Sequence, residues 1–203
     1  QQDYISGLFA SHPPSRDRVT ANKALARAMS GGERHRERYQ QRITQLRKDA
    51  PAYEAQDKAM AALKAKDASA AIRHLDEAVA VQPAEAQFWE MRGHAWTMLE
   101  RYQNAEKAYT TAIRKNPNLF SPWLYRGITR YRRSELIGAR DALAASYRML
   151  PTATSAYYLG DIFLQSGGEE EAAKYLQHAL RSKDQELALA AYNKLAQIEL
   201  AEM

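Results

Sequence analysis

The chain has 203 residues, 45% of them apolar and 26% charged, with no cysteine and a net charge of +5. This composition is that of a folded globular chain, and it excludes disulfide frameworks, thiolate zinc sites and cysteine nucleophiles. No stretch approaches the roughly 18 consecutive apolar residues that a membrane-spanning helix needs.

The balance of aliphatic residues points to one fold class. Alanine occurs 37 times and leucine 19 times, whereas valine and isoleucine together occur 11 times. Alanine and leucine are strong helix formers, while β-branched residues favour strands. The composition therefore predicts an all-α fold.

The positive charge is not spread evenly along the chain. Residues 1–50 carry ten Lys or Arg against five Asp or Glu, whereas residues 51–203 carry nineteen of each. The body of the protein is therefore neutral, and its one local basic cluster consists of Arg126, Arg130, Arg132 and Arg133.

Two helices are predicted ahead of the neutral part. Ser15 follows two consecutive prolines and offers an N-cap for a helix that reaches about Met29, where Gly31-Gly32 ends it. A second helix over 33–48 is strongly basic and keeps only a thin apolar stripe, formed by Tyr39, Ile43 and Leu46. We interpret residues 31–50 as a basic connecting helix.

A repeat of 34 residues dominates the rest of the chain. Pro83, Pro117 and Pro151 are spaced by 34 and 34. The same spacing separates Trp89 from Trp123, Gly93 from Gly127, Ala105 from Ala139 and Ala112 from Ser146. A later copy, displaced by one residue, has Gly160, Ala172, Leu176 and Ala179, and an incomplete earlier copy has Ala59, Ala71, Leu75 and Ala78. A period of this length predicts stacked pairs of antiparallel helices.

Each class of repeated residue has a physical reason to recur. Small residues are expected where two helices cross closely, and large ones, including the tryptophans, are expected to fill the adjoining holes. Each proline is expected just after the second helix of a pair, because its missing N–H and its ring stop the helix. Turns inside the pairs are predicted at 100–102 and at Gly167-Gly168.

These residues resemble the tetratricopeptide repeat over residues 52–182. The order of aromatic, glycine, alanine, bulky residue, alanine and proline is met at Trp89, Gly93, Ala105, Tyr109, Ala112 and Pro117. The first copy departs from the pattern at Ala55, and the last has Asp184 near the expected proline. The resemblance implies a solenoid of three to four helix pairs over 51–183, closed by a capping helix over 184–203.

The resemblance also implies a concave wall lined by the first helix of each pair. Offsets counted from the repeat place on it Gln56, Met60, Glu90, His94, Leu124, Ile128, Tyr131, Tyr157, Asp161 and Leu164. Relatives that hold a C-terminal carboxylate use lysine, arginine and asparagine on this wall, and that set is absent here. The mixture of apolar, aromatic and acidic residues favours an extended or partly unfolded protein segment as partner. Some of these side chains are expected to be covered by neighbouring helices.

A second resemblance lies at the start of the chain. The matching residues are Leu8, Phe9, Ser11, His12, Pro13, Pro14, Ser15, Arg18 and Val19. Their order is similar to the end of the catalytic domain in zinc metallopeptidases of family forty-eight, the BepA and HtpX type. Members of the BepA kind continue into tetratricopeptide repeats. Residues 1–30 would then be the tail of that domain, and the chain would be the C-terminal part of a longer protease.

This second resemblance carries further expectations about location and partners. It implies a periplasmic quality-control protease, although a cytoplasmic location stays open. Its zinc would lie in the part before Gln1, and its partners would be its own upstream catalytic domain and protein segments such as unfolded outer-membrane proteins.

No catalytic residue, metal site or cofactor is predicted within the chain itself. A zinc peptidase of this type needs His-Glu-x-x-His on a helix, and none of the five histidines precedes a glutamate. His12 either approaches the upstream zinc or anchors its own loop, and Arg18 either contacts substrate or forms a structural ion pair. The remaining repeat histidines, His74, His94 and His178, stand alone and are expected to have packing or solvent roles.

Two alternative functions compete with the peptidase-linked reading. Helical repeats that bind RNA need a basic or stacking position in every repeat, but the arginine cluster occurs in one copy only, so no nucleic-acid partner is expected. The other alternative is a stand-alone scaffold protein without peptidase function.

Overall fold

The structure, a computed structural model, describes residues 15–28 and 35–201. Within these ranges it contains helices and no strand, which confirms the predicted all-α class. The helices are α1 Ser15–Ala28, α2 Arg36–Lys64, α3 Ala68–Val81, α4 Ala86–Met98, α5 Tyr102–Lys115, α6 Phe120–Arg132, α7 Leu136–Met149, α8 Ala153–Gln165, α9 Glu169–Ala179 and α10 Gln185–Ala201. By its contacts the chain divides into two units, 1–45 and 46–203.

The first unit contains α1 and the start of α2. Helix α1 begins at Ser15, as the sequence predicts, and ends one residue before Met29. Its apolar side chains Val19 and Leu25 are 50% and 58% exposed.

Helix α2 differs from the prediction in its length. It begins at Arg36 and continues to Lys64 rather than ending at Lys48, with Pro51 inside it. A proline inside a helix removes one backbone hydrogen bond and crowds the preceding turn, which is why the sequence suggests a break. The helix continues because Ala52, Ala55 and Ala59 are buried against α3 and α4, so tertiary packing outweighs the local cost.

The second unit stacks four helix pairs in chain order. The end of α2 pairs with α3, and then α4 pairs with α5, α6 with α7 and α8 with α9. Helix α10 packs against α9 and also contacts α8, as expected for the predicted cap. Its buried residues Ala191 and Ile198 join Ala172 and Leu176 in one apolar cluster.

The repeated small and large residues meet as the sequence predicts. A Cβ atom on Gly127 would lie 2.6 Å from Leu143 Cγ and 3.1 Å from the Leu143 backbone nitrogen. Equivalent close approaches, at 2.4 Å and 2.7 Å, occur between Gly93 and Tyr109 and between Gly160 and Leu176. No side chain fits in these gaps, so glycine sets how closely the two helices of each pair approach.

The turns inside the four pairs share one backbone conformation. The second residue after each first helix has a positive φ, at Lys66 (61°), Glu100 (57°), Ser134 (60°) and Gly167 (77°). The next amide donates to a carbonyl five residues back, from Asp67 to Ala62, Arg101 to Trp96, Glu135 to Arg130 and Gly168 to Phe163, at 2.9–3.0 Å. This is the Schellman arrangement, which satisfies the last carbonyls of a helix. The predicted turns at 100–102 and 167–168 are therefore confirmed, with Tyr102 already in α5.

The large repeated residues have two different surroundings. Tyr109 and Leu143 are fully buried against the glycines of the facing helix, as predicted, whereas the tryptophans contact the loop that precedes their own helix. Trp89 Nε1 donates to the Pro83 carbonyl at 3.0 Å, and Trp123 Nε1 donates to the Pro117 carbonyl at 3.2 Å. Both rings are partly exposed, and Arg126 lies 4.5 Å from the Trp123 ring centre. Each tryptophan therefore ties the first helix of a pair to the proline loop before it.

None of the helices over 15–28 and 35–201 is long and apolar enough to span a bilayer.

Candidate functional site: a tyrosine-lined groove

The first helices of three pairs enclose an open pocket, here called the groove. Its volume is about 260 Å³. Its lining residues come mainly from α4, α6 and α8 and are His94, Thr97, Met98, Tyr109, Tyr125, Ile128, Thr129, Arg132, Thr154 and Tyr158. The regular stacking of the pairs places these three helices side by side, so residues far apart in sequence share one face.

Tyr125 forms one aromatic side of the groove. Its ring meets His94 edge-to-face with the ring centres 4.4 Å apart, and it stacks on Tyr109 at 6.1 Å. Tyr109 is fully buried, whereas 37% of Tyr125 stays exposed. The inner ring therefore supports an outer ring that faces solvent.

Hydrogen bonds fix the supporting ring. The Tyr109 hydroxyl lies 3.0 Å from His94 Nδ1 and 3.3 Å from Thr97 Oγ1. Burial, the largest influence, raises the pKa of Tyr109 well above its usual value of 10.0. The phenol is therefore neutral at physiological pH and acts as a hydrogen-bonding anchor rather than an acid or base.

A polar cluster closes the end of the wall next to the cap. Asp161 accepts hydrogen bonds from Tyr131 and Gln165 and pairs with Lys194 of α10. Burial alone would raise the pKa of Asp161, but the hydrogen bonds from Lys194 and Tyr131 and the positive charge of Lys194 outweigh it and lower that pKa. Asp161 therefore remains ionised inside the protein.

The same cluster acts on Tyr131. Burial, and then the hydrogen bond to Asp161, raise the pKa of Tyr131 far above 10.0. Its hydroxyl is committed to Asp161 and also lies 3.2 Å from Gln165 Nε2. Tyr131 therefore belongs to an internal network at the cap.

The ten predicted wall residues are distributed between the groove and the packed interior. His94 and Ile128 line the groove. Gln56, Leu124, Ile128 and Asp161 are buried, with 8%, 5%, 9% and 2% of their surface exposed. Tyr157 and Leu164 pack with the cluster around α10, Tyr131 joins Asp161, and Glu90 lies beside His94. Met60 on α2 is 52% exposed.

Sequence reasoning missed most of the residues that line the groove. Tyr125 and Tyr158 each directly follow a predicted wall residue, Leu124 and Tyr157, whereas Ile128 is both predicted and part of the groove. The residue types at 124 and 125 could have distinguished the core side of α6 from its groove side. Leu124 is suited to the core, whereas Tyr125 carries a hydroxyl that favours a half-exposed face.

The basic cluster is partly engaged within the protein. The Glu106 carboxylate accepts hydrogen bonds from Arg130 Nε and Arg133 Nη1, both at 2.6 Å, and Arg133 also forms an ion pair with Glu135 at 2.7 Å. Arg126 and Arg132 differ, because no carboxylate of the described residues lies within 4.0 Å of either, and of these two only Arg132 lines the groove. The Arg132 guanidinium lies 6.0 Å from the Tyr102 ring centre.

Of the other candidate residues, His74 and His178 do not line the groove, and the side chains of His12 and Arg18 are not among those described. His12 lies outside the described residues, and Arg18 belongs to α1 but its side chain is not among those described. His74 lies 3.5 Å from Glu77, and His178 Nδ1 lies 2.7 Å from the Tyr147 hydroxyl. Across 15–28 and 35–201, no group of three His, Asp or Glu side chains is arranged to hold a metal ion.

Comparisons with known structures agree with the fold. MamA 41-end from Desulfovibrio magneticus RS-1 has a TM-score of 0.61 at 19% identity, covering 74% of this chain and 96% of that one. The Arabidopsis OM64 TPR domain has a TM-score of 0.57 at 21% identity, covering 58% and 98%. The second TPR domain of human RPAP3, in complex with the HSP70 peptide SGPTIEEVD, has a TM-score of 0.54 at 22% identity, covering 56% and 95%.

Comparisons of the sequence itself identify the repeats. No curated protein matches the chain. The family model for the tetratricopeptide repeat matches residues 57–120 and 124–186, which together make up more than half of the chain. With the repeated glycine contacts and turns of the four pairs, this match shows that the chain belongs to the tetratricopeptide repeat family.

Proposed function

We propose that the repeats form a protein-binding module that receives an extended protein segment in the groove. The observation that carries this proposal is the tyrosine surface formed by the exposed Tyr125 and the half-buried Tyr158, with the hydrogen-bonded Tyr109 behind Tyr125. Tyrosines offer large contact areas to apolar side chains, while their hydroxyls can hydrogen-bond an extended backbone. The similar fold of human RPAP3, which binds a peptide, supports a peptide as the class of ligand.

We propose in addition that this module is the C-terminal part of a zinc metalloendopeptidase of envelope quality control, located in the periplasm. The support is the order of residues from Leu8 to Val19, followed by the repeats. In such a protease, the module would position protein substrates for an upstream domain that holds the zinc. Reading the gene upstream of Gln1 tests this directly, because a His-Glu-x-x-His motif is expected there.

The competing functions differ either in the class of ligand or in the sequence upstream of the repeats. Arg130 and Arg133 are paired with Glu106, so only part of the arginine cluster is available to an RNA backbone, which favours a protein partner. A stand-alone scaffold would use the same groove but would have no upstream peptidase motif. Gene sequence and ligand class therefore separate the three readings.

Binding to an unfolded outer-membrane protein tests the groove. We expect Tyr125→Ala with Tyr158→Ala to weaken binding at least tenfold, because aromatic anchors supply most of the free energy at such sites. Tyr192→Ala is the matched control, since Tyr192 is 58% exposed on α10 and lies outside the groove. Thermal melts check that the variants remain folded. An equal loss of binding in the control, or tight salt-sensitive RNA binding instead, would contradict the proposal.

A further inference from the structure

The acidic residue of the predicted wall is not presented to a ligand. Asp161 is only 2% exposed, and its two carboxylate oxygens are engaged by Tyr131, Gln165 and Lys194. The Lys194 ammonium compensates its charge from the capping helix. The wall is therefore less acidic at its surface than its sequence suggests.

Glu90, the other acidic residue of the predicted wall, is also mostly shielded from solvent. Its side chain is 14% exposed, and its Oε1 lies 3.6 Å from His94 Nε2. A carboxylate held beside an imidazole and mostly covered contributes little to the attraction of a basic ligand.

Arg132 is the charged side chain that remains at the groove. It lies at the end of α6, lines the pocket and is exposed. Its neighbours Arg130 and Arg133 are both held by Glu106, but no described carboxylate is within ion-pair distance of Arg132 itself. An exposed guanidinium offers several N–H donors in a planar fork that matches a carboxylate.

Apolar groups adjoin this cation. Ile128, one turn before Arg132 on the same helix, lies in the groove together with Met98, Tyr125 and Tyr158. Met98 is 42% exposed and Tyr125 is 37% exposed, so apolar surface remains open beside the guanidinium. A bound segment can therefore place an apolar side chain and a carboxylate in the groove together.

We infer that the groove selects an internal protein segment in which an aromatic or aliphatic side chain is followed closely by an acidic residue. The apolar side chain enters between Tyr125 and Tyr158, and the carboxylate pairs with Arg132. This inference rests on the proposed function and specifies its ligand. Because one arginine meets the ligand, a side-chain carboxylate is sufficient and a free C-terminus is not required.

Three amidated, fluorescein-labelled peptides in a serine-glycine background test the inference on the full chain. One contains Phe-Ser-Glu-Glu, the second contains Phe-Ser-Lys-Lys and the third contains Ala-Ser-Glu-Glu. We expect the first to bind best, with binding that weakens as salt is added. Arg132→Gln should raise its Kd about twofold to fivefold, the range of an exposed charge pair. Arg148→Gln, an exposed arginine on α7, is the matched control and should leave the Kd unchanged.

The outcomes distinguish the inference from the function on which it rests. Preference for the lysine peptide, or an unchanged Kd in Arg132→Gln with continued dependence on Tyr125 and Tyr158, overturns the inference and leaves the protein-binding proposal standing. Failure of all three peptides and of unfolded protein to bind overturns both. Tight binding that appears only when the peptide has a free C-terminal carboxylate also overturns the inference.

Discussion

Glycine at the helix crossings shows how single residues set the geometry of this protein. At Gly127 the facing atoms are Leu143 Cγ and the Leu143 backbone nitrogen, so one of them cannot move without moving helix α7. At Gly138 the nearest atom to an added Cβ is Arg130 Nη1 at 3.0 Å, the end of a flexible side chain. Two glycines on neighbouring helices therefore differ in what a substitution would displace.

We expect Gly127→Ala to lower the free energy of unfolding by about 1 to 3 kcal/mol, because overpacking a close contact forces the helices apart. Gly138→Ala is the matched control and should change it by less than about 1 kcal/mol, since alanine also favours the helix. Urea melts of the two variants provide the measurement. Equal destabilisation by both would mean that the α6–α7 crossing is not as close as the structure indicates.

Capping helix α10 combines apolar contacts with one polar contact to the last pair. Its apolar residues cover the end of the last pair, and Lys194 reaches Asp161 on α8. The exposed side of the helix keeps Leu189, Tyr192 and Leu200. Apolar burial and an internal ion pair therefore both attach the capping helix to the last pair.

We expect Lys194→Met to destabilise the protein by about 2 kcal/mol at neutral pH. Removing one partner of a buried pair leaves the other charge uncompensated, and the effect is moderated because Lys194 is 25% exposed. Lys194→Arg keeps the charge and is the control, with a smaller loss expected. The measurement is chemical denaturation at a series of pH values.

The pH dependence of this variant has a definite sign. In the parent protein the pKa of Asp161 is lowered from its usual 3.8, so its stabilising contribution is complete above that value and is lost as pH falls through the lower folded pKa. Without Lys194, its hydrogen bond and positive charge no longer lower the folded pKa of Asp161, so this pKa lies above that of the parent and protonation relieves the destabilisation as pH falls. The difference between variant and parent should therefore shrink below about pH 4. A difference that grows in acid would contradict this account of the cluster.

At the scale of the whole molecule, the sequence carries no zinc-peptidase motif. It has no cysteine and no His-Glu-x-x-His motif, and the described residues contain no metal-binding group. We expect the purified chain to retain no stoichiometric zinc after dialysis and to cleave no unfolded protein. Elemental analysis and a fluorescent casein assay measure this, with a zinc peptidase treated in parallel as control. One zinc per chain together with cleavage would overturn the proposal that catalysis belongs to an upstream part.

The fold could be predicted largely because its repeat is encoded locally. A 34-residue spacing of glycine, alanine and proline fixes where helices cross and where they stop, and the structure confirms the helix pairs, the turns and the cap. Helix α2 was mispredicted, because burial of Ala52, Ala55 and Ala59 outweighs the break expected at Pro51.

The sequence alone therefore determined the all-α class, the repeat family and the absence of a peptidase motif, since each depends on residue types at fixed spacing. Only the tertiary structure decided which side chains face the groove, because a shift of one position on a helix turns a residue by about 100°. It also decided the charge of the binding surface. Lys194, far along the chain, forms an ion pair with Asp161. Glu106 pairs with Arg130 and Arg133, so Arg132 is the arginine that lies beside the tyrosines of the groove.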